Sequence, residues 1–126
     1  MKVGDRVETT RSYRREDAHA FATLAGLGEP ALEAVPEPLV NALFSYLLGV
    51  KLPGAGTNYL KQETQFIAPA PYGEALTAIV EVTRLRPDKH LVDLETICRR
   101  PNGEIVAKGR ALVFVKDRVA AGGASR

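Results

Sequence analysis

Two histidines, one cysteine and a short row of glutamates are the residues of this 126-residue chain best suited to moving protons or attacking a substrate. Glu29, Glu33 and Glu37 are spaced four apart, which on a helix would align their carboxylates as acids or bases on one face. Pro30, Pro36 and Pro38 break that stretch, so the three read first as solvated loop carboxylates. Glu29 and Glu37 are the weak candidates for a catalytic base. His19 lies among apolar residues at helical spacing, and His90 follows the turn Arg86-Pro87-Asp88-Lys89. Histidine is the usual general base, but both are expected at surface or half-buried positions rather than in a catalytic role. Cys98 sits in an apolar run, which predicts a buried and inert thiol. No His/Cys/Asp group has metal-ligand spacing and no glycine-rich loop follows a strand, so neither a metal nor a resident cofactor is expected.

The elements that must position these residues follow from patterning. Val3 to Tyr13 alternates weakly and predicts an entry strand, with Ser12 as a helix cap. Glu16 to Ala25 places acids in a first turn and apolar residues at helical spacing, and Gly26 ends it. Gly26 to Pro38 is a loop. Pro38 then suits the first turn of a second helix, where a missing N–H costs little. That helix is apolar on nearly every side through Leu43-Phe44-Ser45-Tyr46-Leu47-Leu48, which predicts burial all round, with Gly49 closing or bending it.

The remainder predicts strands at 57–68, 75–86, 90–99 and 105–116, rich in Val, Ile, Leu and Thr. Pro-Tyr-Gly, Pro-Asp-Lys and Pro-Asn-Gly separate them, and Pro101-Asn102-Gly103 is a strong hairpin signal. One α+β domain over 1–119 results, an antiparallel sheet curled around a buried helix in the hotdog manner, with 120–126 as a disordered tail. Open sheet edges favour completion by a second copy, so a dimer is expected.

Bulk properties narrow the classes of function. The chain is 45% hydrophobic and 25% charged, ordinary for a soluble domain, and its net charge is +2. Arg14-Arg15 and Arg99-Arg100 are its basic doublets, which argues against nucleic-acid binding. No apolar run approaches a membrane span, and the start Met1-Lys2-Val3-Gly4-Asp5 does not read as a signal peptide. A single cysteine fits a reducing compartment, so a cytoplasmic location is expected.

Three segments in order resemble the MaoC-like family of (R)-specific enoyl-CoA hydratases and 3-hydroxyacyl thioester dehydratases, which have a hotdog fold. Phe21-Ala22-Thr23-Leu24-Ala25-Gly26 resembles the family's Phe-Ala-x-Leu-Ser-Gly. Leu43 to Leu60 resembles its central helix and Leu-Pro-Gly-x-Gly-x-x-Tyr-Leu turn, and Gln65 to Glu74 resembles its strand and Pro-Val, Gly-Asp turn. The family's acid–base pair lies in Gly-Asp-x-Asn-Pro-x-His, with His-Gly-Met further on. The equivalent run here is Gly26-Leu27-Gly28-Glu29-Pro30-Ala31-Leu32. Leu27 stands for the Asp and Leu32 for the His, and neither can carry a proton. Pro36-Glu37-Pro38 replaces His-Gly-Met, and the intervening segment is much shorter.

The resemblance implies a remnant of the site on the central helix. Ser45 matches a serine facing the substrate, Asn41 shares its face one turn earlier, and Leu48 matches a residue lining the acyl tunnel. The Glu37 amide matches the N–H that polarises the thioester carbonyl at the helix N-terminus. Plainer readings stand beside these: a Ser45 hydroxyl bonded back to its own helix, and Asn41 as a structural amide. The expected ligand is an acyl thioester of coenzyme A or a carrier protein. Three readings stay open. One is a non-catalytic subunit, as a homodimer or paired with an active homologue. The second is an active hydratase, dehydratase or thioesterase using a loop carboxylate. The third is a non-enzymatic binder of another apolar ligand or a structural partner.

Overall fold

The computed structural model describes residues 1–24 and 34–115. Expectations for Ala25, Gly26, Leu27, Glu29, Leu32, Glu33 and the tail at 120–126 lie outside the described residues. Five strands, β1 (Arg6–Arg11), β2 (Thr57–Phe66), β3 (Leu76–Arg86), β4 (Leu91–Arg99) and β5 (Ile105–Val115), form one antiparallel sheet in the order β1-β3-β4-β5-β2. Helices α1 (Arg15–Leu24) and α2 (Glu37–Tyr46) precede β2. The fold is the α+β hotdog that the sequence predicts.

Alternation along the strands decides which face meets α2. On β4, Val92, Leu94, Thr96 and Cys98 are buried, while Asp93 and Glu95 lie on the opposite face. Val80 and Val82 of β3 and Val113 and Val115 of β5 join them, and Phe44, Leu47 and Leu48 fill the trough from above. Each of those three side chains contributes roughly 1.5–3 kcal/mol by leaving water. The Pro-Asn-Gly hairpin is as predicted. Gly103 has φ 90°, the Arg100 N–H donates to the Glu104 carbonyl at 2.8 Å, and the Asn102 side chain accepts the Glu104 N–H at 2.9 Å.

Five details differ from the sequence reading, the first being that the entry strand covers only Arg6–Arg11 of the expected 3–13. The central helix is not buried all round, because Tyr46 is 45% and Val50 62% exposed. One curled sheet sleeves only the arc carrying Val40, Leu43, Phe44, Leu47 and Leu48. Nor does Gly49 close the helix. The chain widens into a π-helical turn over Leu47–Lys51, where the Leu52 N–H reaches the Leu47 carbonyl at 2.8 Å. Ser12 is not the cap of α1, which starts at Arg15. The Asp17 carboxylate instead accepts the Arg14 N–H at 2.8 Å. Finally, β2 ends at Phe66 because the Ile67 and Ala68 N–H groups both turn to the Val106 carbonyl, at 2.8 and 3.3 Å.

Cys98 is wholly buried on the inner face of β4, and burial pushes its thiol up to about 11. It is the inert core thiol the sequence suggests, since the thiolate is the reactive form.

Candidate functional site

The start of α2 is fixed from three directions. The Tyr13 hydroxyl donates to the Leu39 carbonyl at 2.9 Å, the Tyr72 hydroxyl to the Ala34 carbonyl at 2.8 Å, and the Val35 N–H to the Ala70 carbonyl at 2.9 Å. Burial raises the pKa of both phenols, so they remain protonated donors. Within Pro36-Glu37-Pro38 only Glu37 has an N–H, because both neighbours are proline. Leu39 and Val40 direct theirs to the Pro36 carbonyl, at 3.0 and 3.4 Å. One amide at the positive end of the helix dipole thus adjoins a groove of about 430 Å³ lined mainly by Val35, Val40, Phe66, Ala68 and Val106. The groove is apolar, as a hydrocarbon chain requires.

Asn41 and Ser45 follow Glu37 at four-residue intervals and face β2. The Asn41 Oδ1 accepts hydrogen bonds from Gln62 Nε2 at 3.1 Å and Thr64 Oγ1 at 3.0 Å. The Tyr59 hydroxyl donates to the Ser45 carbonyl at 2.8 Å. Burial raises the Tyr59 pKa, opposed by a hydrogen bond with the Ser45 side chain. Leu48 is wholly buried in the core. The Glu37 side chain is exposed, an acid in a first helical turn that favours the dipole.

The other candidates do not join this cluster. His19 is exposed on α1. His90 caps the short turn Pro87–Lys89 in the left-handed region at φ 58°, and its ring meets Phe114 edge-on at 5.8 Å. Glu29, with Leu27 and Leu32, lies outside the described residues. No cluster of metal-ligating residues occurs among the described residues. A larger dent of about 570 Å³ lies on the sheet face away from α2, beside Glu63, Glu95, Lys108 and Arg110. Of its charges, Glu63 pairs with Arg110 at 3.5 Å and with the neighbouring Lys61 at 2.9 Å. It has neither the helix terminus nor the apolar lining, so we place the candidate site at α2.

Sequence reasoning missed Tyr59, Gln62 and Thr64. The signal was available: β2 reads TNYLKQETQF, polar on both faces, although an inward face on a buried helix should be apolar. Polar inward residues in such a strand mark a place where hydrogen bonds cross from strand to helix.

Comparison with known proteins agrees with this fold. The solved R-hydratase of A. caviae shares 34% identity at a TM-score of 0.82, covering 91% of this chain and 97% of the other. An unliganded R-hydratase from Pseudomonas aeruginosa shares 28% identity at a TM-score of 0.83, covering 91% and 82%. The class these neighbours define is the hotdog fold of the R-hydratases.

No protein-family model matches the chain. The curated (R)-specific enoyl-CoA hydratases of Aeromonas caviae and Rhodospirillum rubrum are 34% and 31% identical to it. They cover 90% and 94% of this chain, and the chain covers 94% and 90% of them. The chain belongs to the (R)-specific enoyl-CoA hydratase family.

Proposed function

We propose that this protein binds acyl thioesters in the α2 groove without carrying out the family's water addition itself. The observation that carries this reading is a pairing of one feature kept with one lost. The helix terminus keeps a single N–H, at Glu37, beside an apolar groove, whereas Leu27 and Leu32 stand where the resemblance puts the acid and base. A preorganised amide at a helix N-terminus holds a carbonyl oxygen without needing a proton relay. Incubation with crotonyl-CoA is expected to raise the melting temperature by mass action while its conjugated double bond persists. Robust loss of that double bond with purified protein alone would refute the reading.

The protein acts as a subunit of a dimer, with a second copy or with an active homologue. Strand β2 is an edge of the sheet among the described residues, and Leu60 and Tyr59 are 56% and 44% exposed along it. Leu60 lies where the β2–β5 register shifts, between Tyr59 and Lys61. Leu60→Glu should therefore convert the assembly to monomer in gel filtration, with little change in the circular dichroism of the chain. An unchanged elution volume would place the interface elsewhere.

A further inference from the structure

The flank of α2 turned to β1 carries a second groove, of about 280 Å³, which shares no residue with the one at the helix start. Thr9 and Arg11 of β1, with Tyr13 just beyond, form one wall, and Ala42 and Tyr46 of α2 stand on the other. Pro38, Ala42 and Tyr46 lie four residues apart along the helix, and all three are exposed. The outer face of a helix is expected to be polar, so an exposed row without charge marks a binding surface. Two cations adjoin its rings. The Arg11 guanidinium lies 4.5 Å from the centre of the Tyr13 ring, and the Lys51 ammonium 5.9 Å from the centre of the Tyr46 ring. Tyr13 is 2% exposed and its hydroxyl is tied to the Leu39 carbonyl, so its ring is a fixed seat for Arg11. Stacking uses the face of a guanidinium and leaves its N–H edge to reach an acceptor. The Asp17 carboxylate stands 3.9 Å from that edge, too far for a hydrogen bond. An exposed aromatic floor flanked by cations is complementary to a flat ring carrying negative charge. The volume is at the small end for ligand sites, so the ligand is small.

We infer that this groove is a binding site for a small aromatic anion, an aryl phosphate or aryl carboxylate, whose ring lies on Tyr46 and whose charge meets the Arg11 guanidinium. The site stands independently of the thioester-binding reading above. It is tested by titrating phenyl phosphate and benzoate against the backbone amide NMR signals of Arg11 and Ala42, with phenol and inorganic phosphate supplying the ring and the charge separately. At least one aryl anion should bind about tenfold more tightly than phenol and than inorganic phosphate, the worth of one charge-assisted hydrogen bond added to the ring contact. Tyr46→Ala and Arg11→Gln should each lower that affinity about tenfold. Should Arg11→Gln fail to fold, Tyr46→Ala decides alone, since Tyr46 is 45% exposed and its loss leaves the core intact. Saturating crotonyl-CoA should leave aryl-anion binding unchanged, because the two grooves are separate. Aryl anions that bind no better than phenol or phosphate, an affinity untouched by Tyr46→Ala, or displacement by crotonyl-CoA would overturn the inference. Failure of crotonyl-CoA to bind at all would overturn the thioester reading and leave this site standing.

Discussion

Gly109→Ala is expected to unfold the sheet at its most tightly closed point, with a loss on the order of 4 kcal/mol and no cooperative melt near the wild-type temperature. Gly109 lies on β5 between Thr64 of β2 and Thr96 of β4. A Cβ there would overlap the Glu63 carbonyl oxygen and stand 2.8 Å from its carbon and 2.9 Å from the Thr64 Cα. All three are backbone atoms, so no rotamer change relieves the overlap. Strand β2 would have to part from β5, and with it the hydrogen bonds from Gln62 and Thr64 to Asn41. Arg110→Ala on the neighbouring exposed position is the control, expected within about 0.5 kcal/mol of the wild type. Chemical denaturation of the two variants side by side measures both. A Gly109→Ala protein melting within a few degrees of the control would show that β2 does not approach β5 so closely.

How far the sequence carried depended on the range of the interaction that settles each feature. The four C-terminal strands were legible to within two residues because Val, Ile and Thr runs bounded by Pro and Gly are local signals. The hairpin at Asn102-Gly103 was equally local. The candidate site could be proposed from the sequence only on the helix. Glu37, Asn41, Ser45 and Leu48 emerge from spacing and resemblance, whereas Gln62, Thr64 and Tyr59 matter through partners fourteen to twenty-three residues away. Gly109 was silent for the same reason, since its necessity comes from the approach of β2. The exposed flank of α2 was misread because an apolar helix says how much apolar surface it carries, but not how wide an arc of it one curled sheet covers. The π-turn at Leu47–Lys51 has no sequence marker beyond Gly49, and only the observed Leu52-to-Leu47 bond defines it.

Restoring Leu27→Asp and Leu32→His together should raise crotonyl-CoA hydration above the wild-type background by roughly 10²–10⁴-fold, the usual contribution of a positioned acid or base. Each substitution alone should stay near background, because residues that act as a unit lose most of their effect when either is missing. On the proposed thioester-binding reading, the gain depends on the Glu37 N–H at the start of α2 taking the carbonyl and the apolar groove beside it taking the chain. Those parts bind ground state and transition state alike unless a proton can move, so without the pair they yield affinity rather than rate. The pH profile separates a true rescue from a contaminating activity. A new acid–base pair imposes its own titration on kcat/KM, whereas a trace contaminant keeps one profile in every variant. Were the wild-type chain to turn over crotonyl-CoA and lose that activity in Glu29→Gln or Glu37→Gln, a loop carboxylate would be the base. The leucines would then mark a relocated proton relay instead of a lost one.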